Sequence, residues 1–234
     1  MSKKSSSKTN FLAQGTILVI ASFVAKAIGM IYRIPLTHIL GDDGNGYYST
    51  ANEIYTIILM ISSFSLPLAV SRLVAEREYA GEVKNSYRVL ICSLRFAAVT
   101  GGILSILTFL LGGVITKYVM GVELASYALR VLAPAIFLFA LTGVLRGFFQ
   151  GHGTMVPTAV SQIIEQIINA IVSVAGAYVM LQYGLKLGEK KGDAELGTAL
   201  AAAGGTFGTV ASVGVALLFM IVIYLGYRNG FNAA

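Results

Sequence analysis

Apolar residues run along this chain in six long segments, at roughly 11–40, 47–72, 88–114, 127–151, 155–183 and 197–227, with short polar stretches between them. Each exceeds the ~20 residues a helix needs to cross the hydrocarbon core of a bilayer. Backbone N–H and C=O groups in hydrocarbon must be satisfied inside the spanning element, which leaves helices and closed barrels. The strict apolar–polar alternation of a barrel strand is absent. The pattern therefore predicts an all-α polytopic membrane protein with about six transmembrane helices. Pro35, Pro67 and Pro134 should kink or end helices, whereas Pro157 suits a helix start. Gly41-Asp42-Asp43-Gly44-Asn45-Gly46 reads as a turn at one membrane surface. Residues 75–87 are the most polar stretch on the cytoplasmic side and read as an interfacial amphipathic helix or a solvated loop.

Composition sharpens this picture. Of 234 residues, 56% are hydrophobic and 12% charged, about half the ~25% charged residues of soluble domains. A water-soluble globule and a disordered chain are both excluded. Cys92 is the one cysteine, so there is no disulfide framework and no cysteine-based metal site. The net charge of +6 comes from basic residues in short clusters between apolar runs, which points to membrane topology and not to a nucleic-acid partner. With the N-terminus inside, ten Lys and Arg (Lys3, Lys4, Lys8, Arg72, Arg77, Lys84, Arg88, Arg95, Arg146, Arg228) fall on the cytoplasmic side. Five (Lys117, Arg130, Lys186, Lys190, Lys191) fall outside, the last group diluted by Glu189, Asp193 and Glu195. The bias predicts both termini in the cytoplasm: a tail at 1–10, a transmembrane lobe at 11–227 and a cytoplasmic end at 228–234. The first segment reads as an uncleaved span, because its apolar pattern continues past any signal-peptide length.

Charge inside the spans is the candidate chemistry. Lys26 lies mid-span and Arg33 seven residues later on the same face, about 10 Å along the axis. A basic group at the bilayer centre costs about 2.5–3.5 kcal/mol on insertion scales, so this stripe should face protein or a hydrated cavity. Arg33 could instead snorkel to the interface. Glu53, at similar depth in the second span, is placed to pair with Arg33. In the fifth span Gln162, Glu165, Gln166, Asn169 and Ser173 fall at offsets 0, +3, +4, +7 and +11, one helical face. That face must look inward, either gluing helices together or lining a cavity. Gly204, Gly205 and Gly208, with Ala201 and Ser212, form a small-residue face for close helix contact. His38 and His152 should lie at opposite membrane faces, and no H-E-x-x-H, D-D-x-x-D, serine-elbow or phosphate-loop motif occurs. No catalytic residue, metal ligand or cofactor is expected. A central cationic wall suits an anionic head group, whereas a site for cationic drugs would more often present acids alone.

Two runs carry a family resemblance: A-K-A-I-G-M-I-Y-R-I-P-L at 25–36, followed by I-L-G-D-D-G-N-G-Y-Y, and R-G-F-F-Q-G-H-G-T-M-V-P-T-A-V-S-Q-I-I-E-Q at 146–166. They resemble the lipid II flippase and stage V sporulation protein B branch of the multidrug/oligosaccharidyl-lipid/polysaccharide exporter superfamily. Arg146, Gly147, Gln150, Gly151 and Pro157 are the motif positions. The resemblance implies a bacterial inner-membrane flippase for undecaprenyl-pyrophosphate-linked saccharide, with Lys26 and Arg33 meeting the pyrophosphate and an ion gradient or membrane potential as driving force. Such proteins have about fourteen spans in two lobes, so this chain corresponds to the N-terminal lobe and is expected to be a truncated or split product, unless a second lobe or a second copy completes it. A lone lobe would expose its polar face to lipid. The expected partners are thus lipid-linked anionic saccharide and membrane lipid. A non-transporting remnant, a scaffold for cell-wall enzymes and a cation-coupled drug exporter are the alternatives.

Overall fold

The computed structural model describes residues 2–191 and 195–232, with side chains described for 14–190 and 195–228. The side chains of Lys3, Lys4, Lys8 and Lys191, and all of Asp193, lie outside the described residues. The chain is all-helical: α1 (Ser2–Ser62), α2 (Leu66–Tyr79), α3 (Val83–Val114), α4 (Ala125–Gly151), α5 (Val156–Lys191) and α6 (Leu196–Asn232). A π-helical turn, Ile115–Val119, closes α3. Among the described residues five helical stretches are long and apolar enough to cross a membrane, the first running Gln14–Tyr79. This is a polytopic membrane protein.

The first two predicted spans are the two arms of α1. A straight helix of 61 residues would be about 90 Å long, three bilayer cores. Gly41 breaks it with φ 65 and ψ −172, backbone that only glycine adopts without strain. Arg33 before the break and Asn52, Glu53 and Thr56 after it line one cavity, so the arms fold back on each other. The expected six-residue turn is corrected to a single residue, because the helix resumes at once after Gly41. The second predicted span also ends earlier than expected, at Ser62. The amides of Ser63 and Phe64 both donate to the Leu59 carbonyl, and Pro67 then starts α2, where its missing N–H costs nothing. Residues 75–87 are mostly helical: α2 continues to Tyr79, and α3 starts at Val83 after a turn through Gly81, whose φ is 74.

α4 is the buried centre, with every residue from Thr142 to Phe149 buried. It packs on α3, α6, α2 and α1. Two apolar clusters flank it. One joins Leu36, Leu40, Tyr48 and Tyr55 of α1 to Leu129, Leu132 and Ile136. The other joins Val70 and Val74 of α2 to Val144, Phe148 and Met220. Gly143, Gly147 and Gly151, four residues apart, admit α2: a Cβ on Gly147 would lie 2.5 Å from the Pro67 carbonyl oxygen, and one on Gly151 2.6 Å from Val74 Cβ. The small-residue face of the sixth span does what its composition suggests. A Cβ on Gly176 would lie 2.5 Å from the Gly204 carbonyl oxygen, and one on Gly208 2.5 Å from the Ser173 amide.

Candidate functional site

Two cavities lie along α1. The inner one, of about 260 Å³, lies between α1, α4 and α5 and is lined by Ser22, Lys26, Phe139, Arg146, Gln162, Glu165 and Gln166. The outer one, of about 450 Å³, lies between the arms of α1, with Arg33, Ser49, Asn52, Glu53 and Thr56 on its wall. Lys26 and Arg33 share one helix face, as their spacing requires.

The inner cavity is organised by an ion pair. Arg146 Nη2 donates to Glu165 Oε2 at 2.7 Å and its Nε to Ser161 Oγ at 2.9 Å. Ser161 in turn donates to the Thr158 carbonyl at 2.8 Å. The two charged side chains are 9% and 15% exposed. A buried guanidinium needs its charge matched and its donors satisfied; here Glu165 matches the charge, and Nε and Nη2 each have an acceptor. Arg146, one and a half turns short of the end of α4, is turned inward onto α5 and buried there. Lys26 differs. It is exposed toward the cavity, and among the described residues no carboxylate lies within ion-pair distance of its Nζ. Counting Lys26 and Arg146 against Glu165, the cavity wall carries one uncompensated positive charge.

The predicted ion pair between Arg33 and Glu53 is not formed. Both residues line the outer cavity but are exposed on its open side. The Arg33 guanidinium lies 6.0 Å from the centroid of the Tyr48 ring instead, the geometry of a cation–π contact.

The α5 stripe divides along its length. Gln162, Glu165 and Gln166 line the inner cavity, and the Ser22 hydroxyl donates to Gln162 Oε1 at 3.1 Å. One turn on, Asn169 is buried: its Nδ2 donates to the Tyr32 hydroxyl at 3.0 Å and its Oδ1 accepts from Ser173 at 2.9 Å. The glue and cavity readings hold in succession on one face. Gln150 donates to Thr158 at 3.4 Å, Pro157 sits in the first turn of α5, and Gly147 and Gly151 serve helix packing.

Sequence reasoning missed Ser161, Tyr32 and Ser22 as partners. It missed also that His152, at that turn, lies 3.2 Å from Glu78 of α2. Among the described residues no group of three His, Cys, Asp or Glu side chains could hold a metal ion. The inner cavity thus brings one lysine, two glutamines and a balanced Arg–Glu pair onto one wall.

Comparison with known proteins places this geometry in context. The family described as "Polysaccharide biosynthesis protein" matches residues 11–233. The chain is 28% identical over 217 residues to stage V sporulation protein B of Bacillus subtilis (strain 168), covering 93% of this chain and 39% of that protein. It is 28% identical over 180 residues to the lipid II flippase MurJ of the same organism, covering 73% of this chain and 33% of the flippase. The chain thus spans between a third and two fifths of the length of these relatives. A solved outward-facing structure of a multidrug resistance MATE family transporter of the MOP superfamily shares the fold with a TM-score of 0.76 at 18% identity, over 95% of this chain and 46% of the transporter. These relatives are named as a flippase, a sporulation protein and a transporter, none as an enzyme.

Proposed function

This chain belongs to the polysaccharide biosynthesis protein family, and on that footing we propose that it forms one lobe of a flippase for a lipid-linked anionic saccharide of the undecaprenyl-pyrophosphate type. The observation that carries the reading is Lys26, a cation exposed to a membrane-embedded cavity without a described counter-charge. An uncompensated ammonium in a low-dielectric wall attracts a phosphate strongly and holds it as a point charge. Arg146 and Glu165 set the shape of that wall and keep their own charges balanced. Gln162 and Gln166 supply neutral hydrogen-bonding groups beside it. The outer cavity, about 10 Å along α1, offers Asn52, Ser49, Thr56, Glu53 and Arg33, polar groups suited to hydroxyls.

Alternating access needs a second body to rock against this one, supplied by a second lobe or a second copy. In the assembled transporter both ends of this chain face the cytoplasm and the polar face of α1 and α5 faces the partner lobe. The test measures lipid II reaching the outer leaflet in cells depleted of their own flippase and supplied with the complete transporter. Lys26→Met is expected to lower the rate at least tenfold, and Lys26→Arg to retain most of it. Full transport by Lys26→Met at normal protein levels overturns the proposal.

A further inference from the structure

Well away from the cavity, α2 and α3 form a groove of about 400 Å³ lined by Leu73, Arg77, Asn85, Arg88, Val89, Cys92 and Ser93. Its depth in the membrane can be read from α3. Residues 96–114 carry no charge and would span about 28 Å as helix, matching the ~30 Å hydrocarbon core. Arg95 then sits at the hydrocarbon boundary and Arg88, seven residues earlier on the same face, about 10 Å further out, among the head groups. Arg95 is exposed between the exposed apolar residues Ile91, Phe96 and Val99.

The groove keeps an excess of positive charge. Arg77 is paired with Glu82 at 2.9 Å. Donation from Asn85, and then from Arg77, holds the Glu82 carboxyl below its ordinary range, so this acid stays ionised and committed to Arg77. Among the described residues Arg88 donates to the neutral Asn85, at 3.2 Å. Among the described residues no carboxylate lies within ion-pair distance of Arg88, Lys84 or Arg95. Below the guanidinium level, Leu73 and Val89 give the groove an apolar floor.

We propose that this groove is a binding site for an anionic glycerophospholipid, its phosphate held by Arg88 with Asn85 and Ser93, and an acyl chain laid over Leu73 and Val89. The head-group depth, the unmatched guanidinium and the apolar floor each match one part of such a lipid. A basic residue near an anionic membrane surface adds about 1 kcal/mol of attraction, which is a preference of about fivefold. The site is independent of the transport reading, because it lies on the α2–α3 side of α4.

The chain has no tryptophan, so Leu73→Trp places a single reporter in the groove, and Leu218→Trp, exposed on α6, serves as a reference. Each full-length variant is reconstituted in bilayers with brominated phosphatidylglycerol or brominated phosphatidylcholine, and quenching gives the relative binding constant. We expect a fivefold or greater preference for the anionic lipid at position 73 and a ratio near one at position 218. Adding Arg88→Gln should bring the ratio at 73 close to one, and Arg88→Lys should keep most of it. Equal ratios at the two positions, or a preference at 73 that survives Arg88→Gln, would overturn the proposal. So would its abolition by 10 mM inorganic phosphate, which would make free phosphate the occupant.

Discussion

The two edges of α5 are built on opposite principles. Along α6, glycine meets glycine: Gly176 against Gly204 and Gly184 against Gly197, with no room for a methyl group. Along α1, the same helix presents two glutamines and a glutamate to a partly open cavity and, one turn on, a buried asparagine to Tyr32. Lipid tails are as apolar as leucine, so helices in a bilayer gain little from burying apolar surface and adhere through close backbone packing and hydrogen bonds. The α6 edge uses the first means and the α1 edge the second. A seam without gaps has one arrangement. A polar edge with a cavity can exchange protein partners for a ligand, which is what a transport site requires.

The contrast is open to direct tests in purified full-length protein, read as shifts in thermal stability in detergent. The largest effect is expected at Glu165. Glu165→Gln leaves Arg146 buried without a counter-charge and should cost about 4 kcal/mol. The double variant Arg146→Gln with Glu165→Gln should recover most of that loss; if it is as unstable as the single variant, the pair is not the organising contact. Next is the seam. Gly204→Leu forces side-chain atoms into the Gly176 backbone and should cost about 3 kcal/mol. A loss below 1 kcal/mol would show that the seam can open to admit a side chain. Asn169→Leu removes the bonds to Tyr32 and Ser173 and should cost about 1 kcal/mol, an intermediate value befitting its place between glue and cavity. The smallest effect is expected at Gly226 in α6, where an added Cβ meets nothing within 4 Å. Gly226→Ala should be neutral or stabilise by a few tenths of a kcal/mol, and a clear loss there would mean that glycine content in α6, not the seam, governs stability.

Much of this arrangement was legible without coordinates, and the failures have identifiable causes. The spacing of Gln162, Glu165, Gln166 and Asn169 placed them on one face because helical periodicity is a local property. Whether that face glued helices or lined a cavity depended on what α1 sets opposite each position, Tyr32 against Asn169 and Lys26 beside Glu165, which has no local signature. The burial of Arg146 was not foreseen because a position near a helix end suggests exposure, whereas α4 is the central helix and buries most of its last two turns. The pairing of Arg33 with Glu53 was inferred from equal depth alone. Depth does not fix rotation about the helix axis, and the two side chains end on the same open cavity without meeting.

What composition and periodicity determined by themselves is the class of molecule. Apolar runs of this length, poor in charge, have a stable form only as membrane helices, since hydrocarbon leaves no other way to satisfy the backbone. Tertiary structure alone decided how the charges are shared out. Glu165 goes to Arg146 and Lys26 is left facing the cavity, because the glycine contacts of α4 with α2 and of α5 with α6 set how closely and at what rotation the helices meet. Those contacts join residues far apart in the chain, and no stretch of sequence contains the geometry that only their meeting creates.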